Sequence, residues 1–199
     1  MPGDIIARIL TSVQTKEFAV ALFWIVLHVA HYNITAHIEH KTRIFTKLLG
    51  KNAVYYYAVL LIVWACVRDW YIMKALEVDE DSLVIFSKFV AKIIGGIISL
   101  LGFGINLWTL SALGVKGMYN GDSFGYLFDE PITTGPYQYM SDPQYVGTFI
   151  AAIGSAIMYQ SIAGYVLAFA LYAVFLFSVK FVEGPHMRKL YSQKQKKSE

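Results

Sequence analysis

The sequence has few charged residues and a single cysteine, and each scarcity excludes a class of protein. Charged residues make up 16% of the 199 residues and apolar residues 56%, whereas an average soluble domain has about 25% and about 45–50%. This composition excludes an intrinsically disordered chain and predicts a membrane protein. The one cysteine, Cys66, lies in an apolar run, so an intramolecular disulfide is excluded. No metal site is predicted, because no Cys/His spacing typical of zinc is present.

The chain length and the net charge limit the function further. A chain of this length corresponds to one domain, and we predict a single membrane-embedded domain over residues 1–199. The length leaves no room for a separate nucleotide-binding domain, so any cofactor must bind to the membrane helices or to their loops. The net charge of +3 gives no indication of a nucleic-acid partner.

Four apolar segments are long enough to be membrane helices. About 20 apolar residues match a hydrocarbon core of about 30 Å, and a helix satisfies its own backbone hydrogen bonds there. We therefore predict an all-α integral membrane helical bundle. The four segments are residues 18–36, 53–73, 89–112 and 145–182.

The two ends of the chain depart from this simple pattern. Residues 1–17 have apolar residues at helical spacing, which predicts a short amphipathic or re-entrant helix. Residues 145–182 would form a straight helix of about 57 Å, which is too long for one crossing. We predict a break within residues 161–164, and so a broken C-terminal helix pair over about 145–159 and 163–182.

The charges of the loops indicate which segments share a side of the membrane. Residues 37–51 and the tail 186–199 are basic, whereas residues 74–88 are acidic. Basic segments tend to be cytosolic, so the basic loop and the tail should lie on the same side. Single crossings by both 18–36 and 145–182 would separate them. Either one segment is re-entrant, or 145–182 is a hairpin.

The long connection 113–144 has the most distinctive composition. It is rich in glycine, proline and tyrosine. A connection this long without an element of its own is usually functional or disordered, and its aromatic content argues against disorder. Its tyrosines indicate either a functional site or anchors at the lipid headgroups.

Five motifs follow one another along residues 25–191, and together they resemble the phosphatidylethanolamine N-methyltransferases of the phospholipid methyltransferase family. The spacing between the motifs needs almost no gaps. In chain order they are Asn33 with Glu39-His40-Lys41-Thr42-Arg43; Gly117-Met118-Tyr119-Asn120-Gly121-Asp122-Ser123-Phe124-Gly125; Asp142-Pro143 with Tyr145 and Gly147; Gly154 with Ala156-Ile157-Met158, then Ser161 and Gly164; and Glu183-Gly184-Pro185 with Tyr191.

The resemblance implies the reaction and the cofactor. Such enzymes transfer methyl groups from S-adenosylmethionine to phosphatidylethanolamine and its mono- and dimethyl derivatives, and they lead to phosphatidylcholine. A membrane phospholipid is thus the expected substrate, and the expected location is the endoplasmic reticulum, with a mitochondria-associated membrane as the alternative. Gly102-Phe103-Gly104 fits the family's Gly-x-Gly cofactor motif, although small residues also serve close helix packing. Glu183 and Gly184 occupy the places of two cofactor-binding glutamates, and Gly184 departs from the pattern.

Methyl transfer requires a neutral amine, so a nearby group must accept a proton from the lipid ammonium. A polar side chain that is a candidate for this proton transfer has a structural alternative, which is to cap a loop or to form an Asx turn. Lys41 and Arg43 are candidates to hold the lipid phosphate, or they only set the topology. The candidate proton acceptors are Asp122, Asp142, Glu39 and His40, with His31 and His37 behind them, and the candidates for an aromatic cage around a methylammonium are Tyr119, Tyr137, Tyr139 and Tyr145.

Two other functions stay open on the sequence alone. An isoprenylcysteine-type carboxyl methyltransferase shares the Pro-x-Tyr-x-Gly block, but such enzymes usually have Arg-His where this chain has Ser141-Asp142. A non-catalytic lipid-binding or scaffold protein is the other alternative, because Gly184 replaces the second glutamate.

Overall fold

The structure is a computed structural model that describes residues 2–198, with side chains described over residues 5–196. The first and last residues of the predicted 1–199 domain lie outside the described residues. No strand occurs within residues 2–198, so the predicted all-α fold is confirmed. The helices are α1 (Pro2–Val13), α2 (Lys16–Thr42), α3 (Ile44–Leu49), α4 (Ala53–Val78), α5 (Lys88–Met118), α6 (Pro143–Tyr159), α7 (Ile162–Ser178) and α8 (Gly184–Ser198).

Residues 145–182 form a helical hairpin. Helix α6 ends at Tyr159, Gln160 takes a left-handed backbone conformation with φ 50°, and α7 begins at Ile162. The Asp79 carboxylate, at the end of α4, accepts hydrogen bonds from the Ser161 hydroxyl at 2.8 Å and the Ala163 amide at 2.7 Å. These bonds cap α7 and fix the turn against α4. The predicted break is therefore confirmed.

The hairpin brings the basic segments to one end of the bundle. The acidic end consists of residues 79–86 and the turn between α6 and α7. The basic end consists of residues 42–53 and α8. Because α7 runs back to the basic end, the basic loop and the tail lie together, as the second of the two topological solutions requires. The cytosolic orientation of the basic end stays a prediction.

Three helical stretches in the described part of the chain are long and apolar enough to cross a membrane, namely Lys16–Thr42, Lys88–Phe124 and Ile162–Lys196. Large apolar side chains such as Leu100 and Phe169 point outward and are mostly exposed. A surface this apolar is unusual for a soluble monomer but suits contact with lipid. The structure therefore fits an integral membrane protein. The interior packs around Ile25, Tyr57, Leu76, Leu167 and Leu171.

Helix α1 packs beside α2 and α7 at the acidic end. Ile5, Ile6 and Leu10 are exposed, and the Arg8 guanidinium donates a hydrogen bond to the Ser82 carbonyl. An exposed apolar face beside the membrane helices fits the predicted amphipathic helix at the interface.

Helices α5 and α6 pack with their backbones in close contact. A Cβ added at Gly102 would clash with the backbone of Gly147 and Ala151, and one added at Gly95 would clash with the Gly154 carbonyl. Absent side chains permit this approach. The contact also places the first turn of α6, with Tyr145, directly beside α5.

Candidate active site

A cavity of about 700 Å³ lies among α2, α4, α5, α6 and α7. Sites for cofactors and small molecules usually have about 300–1,000 Å³. Tyrosines and carboxyl groups line it toward the basic end. Such a cavity suits a ligand with a polar headgroup and an apolar tail. Its apolar wall consists of Leu61, Ile62, Ile72, Phe103, Leu171 and Phe175.

Carboxyl groups dominate the charge of the cavity. Among the described lining residues, five are acidic and Arg68 is the single lysine or arginine. Arg68 pairs with Asp69 at 2.8 Å. The other four carboxyl groups, which form no ion pair within the described residues, give the cavity an excess of negative charge that favours cations. These four residues are Asp122, Glu130, Asp142 and Glu183.

A chain of hydrogen bonds from α2, α6 and α7 holds the Glu183 carboxylate. Glu183 ends a π turn that links α7 to α8, and its Oε2 accepts a hydrogen bond from the Tyr145 hydroxyl at 2.6 Å. The Tyr145 oxygen lies 3.1 Å from the Tyr32 hydroxyl, which lies 3.2 Å from Ser178 Oγ. Ser178 accepts from Asn33 Nδ2 at 2.8 Å. Since a carboxylate only accepts, every donor in this chain is directed toward Glu183.

Asp122 is buried in the 3-10 turn that follows α5. Its Oδ1 accepts a hydrogen bond from the Tyr191 hydroxyl of α8 at 3.1 Å. A side chain at Gly121 would clash with the backbone of Lys116, so glycine allows the sharp turn. The neighbouring Ser123 hydroxyl lies 3.1 Å from His186 Nε2. Helix α8 therefore closes the basic end of the cavity and orients Asp122.

Asp142 immediately precedes α6, and its side chain forms no capping hydrogen bond. Burial raises the pKa of this carboxyl. For Tyr137, burial and then the charges of Asp142 and Glu183 raise the pKa of the phenol to about 12. Tyr137 is therefore a protonated donor at neutral pH. Asp142 exchanges its proton closer to neutrality than a solvated aspartate does.

Comparison with known proteins gives the family of this chain. The family model described as phospholipid methyltransferase matches residues 90–194. Phosphatidylethanolamine N-methyltransferase B of Dictyostelium discoideum is 52% identical over 180 residues, which cover 90% of each chain. The chain belongs to the phospholipid methyltransferase family. The family predicted from the five motifs is thus confirmed.

Other relatives of this phospholipid methyltransferase come from yeast and human. Phosphatidyl-N-methylethanolamine N-methyltransferase of Saccharomyces cerevisiae is 27% identical, over 97% of this chain and 95% of its own length. Phosphatidylethanolamine N-methyltransferase of Homo sapiens is 28% identical over 89% of each chain. No solved structure matches the chain. The relatives thus favour the phospholipid methyltransferases over the isoprenylcysteine type.

Of the candidate proton acceptors in the phospholipid methyltransferase, Asp122 and Asp142 line the cavity, whereas Glu39 and His40 do not. Glu39 is fully buried and accepts hydrogen bonds from the amides of Phe45 at 2.8 Å and Thr46 at 3.3 Å. Glu39 therefore caps the N-terminus of α3, which is the alternative role predicted from the sequence for each candidate acceptor. The His40 ring packs edge-on against His186, outside the cavity lining.

The predicted cofactor residues are divided between the cavity and helix packing. Glu183 and Phe103 line the cavity. Gly102 contacts the backbone of α6, and a Cβ at Gly104 would meet no atom within 4 Å. Gly184 follows the π turn, where a side chain would clash with the Val179 carbonyl. The contacts of Gly102 and Gly184 are those of backbone packing, and a cofactor role for the glycines stays a prediction.

The predicted cage tyrosines, phosphate-binding residues and remaining histidines lie partly in the cavity lining and partly outside it. Tyr119, Tyr137 and Tyr145 line the cavity, whereas Tyr139 is exposed beside Trp108. The Arg43 guanidinium donates to the Ser123 carbonyl at 3.2 Å and so fixes the turn that contains Asp122. Lys41 is exposed and lies outside the cavity lining. His31 stacks on Trp64, and the centroid of the His37 ring lies 4.0 Å from that of His186, with the rings inclined by 31°. Neither His31 nor His37 is among the described residues that line the cavity.

Several polar lining residues were not predicted as site residues, and His28, Tyr32, Arg68 and Tyr191 are among them. Arg68 and Asp69 read as the polar end of segment 53–73, but α4 continues to Val78. An arginine inside a long apolar segment is itself a signal of function. Tyr191 belongs to the last family motif, whereas nothing in the sequence separates Tyr32 from other aromatic residues of its helix.

Proposed function

We propose that this protein transfers methyl groups from S-adenosylmethionine to the amine of phosphatidylethanolamine and of its mono- and dimethyl derivatives, toward phosphatidylcholine. The observation that carries the proposal is the acidic cavity inside a membrane bundle. The two reactants are a sulfonium and a lipid ammonium, and both are cations. Four carboxyl groups that have no basic partner within residues 5–196 lower the electrostatic cost of bringing two cations together.

The residues around Glu183 fit the cofactor. A carboxylate fixed by the Tyr145 hydroxyl at 2.6 Å is a rigid acceptor, suited to the ribose hydroxyls or the methionyl ammonium. Phe103 and Phe175 give the same cavity apolar surface for an adenine ring. When bound, S-adenosylmethionine supplies an electrophilic methyl group.

Asp122 and Asp142 are the proposed proton acceptors. The ammonium must lose a proton before its nitrogen can attack, and partial desolvation in the cavity makes this loss easier. Asp142 has a free carboxyl, since it does not cap α6, whereas Asp122 already accepts from Tyr191. Each acquired methyl group leaves an ammonium again, so the same acceptor serves each round that starts from a protonated amine.

The tyrosines and the apolar wall orient the lipid. Displacement at the methyl carbon requires the nitrogen, carbon and sulfur in line, and fixed alignment supplies much of the rate. Tyr119, Tyr137 and Tyr145 present ring surface to a methylated ammonium. The apolar wall accommodates the start of the acyl chains.

A product assay with purified full-length protein in mixed micelles tests the proposal. Labelled S-adenosylmethionine is offered with phosphatidylethanolamine, its monomethyl form or its dimethyl form, and cofactor binding is measured separately. We expect cofactor binding and labelled lipid carrying one more methyl group than its acceptor. Absence of cofactor binding would refute the proposed methyltransferase activity. Binding without labelled lipid supports a non-catalytic protein, and label only on an added isoprenylcysteine supports the carboxyl methyltransferase alternative.

We further propose that the protein resides in the endoplasmic reticulum, as the resemblance implies. Separation of cell membranes, followed by detection of the full-length chain, should place it with membranes of that compartment. Recovery in a different membrane fraction would contradict this location without affecting the proposed chemistry.

A further inference from the structure

A buried arginine lies on the cavity wall far from the basic end. Arg68 is only 5% exposed and stands on α4, eleven residues beyond Tyr57. Tyr57 is level with Tyr32, because its hydroxyl donates to the Tyr32 carbonyl at 3.2 Å. At 1.5 Å per residue, the Cα atom of Arg68 lies about 16 Å along α4 from that of Tyr57, and its side chain inclines back toward the N-terminal end of α4, which is the basic end. A charge at such depth is costly unless it serves a function.

The ion pair with Asp69 uses only part of the Arg68 guanidinium. Nε and Nη2 both contact Asp69 Oδ1 at 2.8 Å. Within the described residues, Nη1 has no hydrogen-bond partner. The Asp69 side chain is itself 54% exposed, so the pair only partly neutralises the arginine. Donor capacity therefore remains on the cavity wall, since a guanidinium has five N–H groups.

His28 supplies a second unused polar group on the same cavity. Its side chain is buried, at 7% exposure, and it lines the cavity with Arg68. Its Nδ1 is buried and has no hydrogen-bond partner in the described part of the chain. Buried polar atoms are nearly always paired, so the His28 ring keeps a hydrogen-bonding atom that no group in the described residues uses.

We propose that Arg68 and His28 bind an anionic oxygen group of a reactant, and that this group is the phosphodiester of the phospholipid. The proposal rests on the proposed function of the same cavity. Arginine is well suited to phosphate, because its planar fork can donate two hydrogen bonds to one group. His28 donates from Nδ1 to a further oxygen in the matching tautomer.

The order of charges along the cavity matches the headgroup. Asp122, Glu130, Asp142 and Glu183 follow or precede helix ends at the basic end, whereas Arg68 and its partner Asp69 stand farther along α4. A phospholipid amine among the carboxyl groups is joined by a two-carbon linker to its phosphate, which then points deeper. Leu61, Ile62, Ile72 and Met73, which precede and follow Arg68 on α4, also line the cavity, and this apolar wall suits the acyl chains that adjoin a phosphate. A cofactor carboxylate would instead bring its neighbouring ammonium to this apolar wall.

Two lipid substrates separate the phosphodiester from other anions. The first is short-chain phosphatidylethanolamine, and the second is its neutral phosphotriester, in which the phosphate carries a methyl ester. Methylation of both is measured with full-length wild-type protein in mixed micelles, and cofactor Kd is measured separately. We expect the wild type to prefer the diester on the order of tenfold, which corresponds to about 1.4 kcal/mol, since a hydrogen bond to a charged group is stronger than one to a neutral group.

Arg68→Gln should raise the apparent lipid KM for the diester on the order of tenfold, remove the preference over the triester and leave the cofactor Kd unchanged. Arg68→Lys should retain part of the preference, and His28→Phe should raise lipid KM by a smaller factor. Lys74→Gln is the matched control, because Lys74 lies on the same helix and pairs with Glu77 at the surface.

Three results would overturn the assignment. A raised cofactor Kd with unchanged lipid KM in Arg68→Gln would assign the site to the cofactor carboxylate. Unchanged discrimination in that variant would remove Arg68 from lipid binding. If Arg68→Gln does not fold, the wild type alone provides the test. A wild type that is active but methylates the diester and the triester equally would contradict the proposal. A wild type without any methyl transfer would instead refute the proposed function.

Discussion

The Tyr145 hydroxyl donates a hydrogen bond of 2.6 Å to the Glu183 carboxylate, although the two residues are 38 positions apart. The hairpin of α6 and α7 makes this contact possible, because it returns the chain to the level at which α6 began. The Tyr145 ring also stacks on Phe175 of α7, with centroids 4.4 Å apart. Ring and hydroxyl together hold Glu183 in one orientation toward the cavity.

Removing the charge of Glu183 should weaken cofactor binding. We expect Glu183→Gln to raise the Kd for S-adenosylmethionine more than Tyr145→Phe does. The latter keeps the ring stack on Phe175 and removes one hydrogen bond, worth about 1.5–3 kcal/mol for a charged acceptor. Equilibrium binding in micelles measures both variants, with Glu77→Gln as a surface control. Unchanged affinity in Glu183→Gln would remove Glu183 from the cofactor site.

The methylation rate should depend on the ionisation of Asp142. Only the deprotonated carboxylate accepts a proton, and burial raises its pKa, so wild-type activity should fall on acidification at a pH above about 3.9, the value for a free aspartate. Asp142→Asn should lower the rate and abolish this acidic limb. The measurement is kcat at saturating substrates against pH. Loss of the limb in Asp122→Asn but not in Asp142→Asn would assign the base to Asp122.

Two neighbouring glycines should respond differently to alanine. Gly102→Ala places a Cβ against the backbone of Gly147 and Ala151, and overpacking of this kind costs about 1–3 kcal/mol. Gly104→Ala adds a Cβ that meets no atom of the described residues within 4 Å, and alanine favours the helix by about 1 kcal/mol. Thermal unfolding in micelles should therefore show a lower Tm for Gly102→Ala and an equal or higher Tm for Gly104→Ala.

Cofactor affinity in the same two variants tests the glycine motif. If the glycines act only in packing, Gly104→Ala binds S-adenosylmethionine like the wild type. Weaker binding by Gly104→Ala at unchanged Tm would show that the adenosyl group approaches this helix face, as the resemblance implies.

Single cysteines should report the topology of the hairpin. In a Cys66→Ser background, Lys47→Cys and Gln193→Cys occupy exposed positions at the basic end, and Glu80→Cys occupies one at the acidic end. A membrane-impermeant thiol reagent added to sealed vesicles should label the first two from one side and the third from the other. Labelling of Lys47→Cys and Gln193→Cys from opposite sides would contradict the hairpin.

Prediction from the sequence was most accurate for structural features that depend on a single segment of the chain. The break near Ser161 follows from the length of the apolar run, and the structure places it there. A polar residue with two possible uses stays undecided on the sequence alone. Glu39 was a candidate proton acceptor with capping as its alternative, and in the structure it accepts hydrogen bonds from the amides of α3, because the left-handed turn at Arg43 brings these amides back to it. Arg68 looked like the end of a segment because Asp69 follows it.

The sequence by itself determined the membrane setting, the helical architecture and the family, since these follow from composition, segment length and motif order along the chain. Tertiary structure alone decided which polar side chains meet in the cavity. Asn33, Tyr32, Tyr145 and Glu183 come from different elements, and their hydrogen bonds exist only after the helices pack. Burial then distinguishes residues of the same type, because a carboxyl that faces a cavity stays free for a ligand, whereas one beside unpaired helix amides caps them.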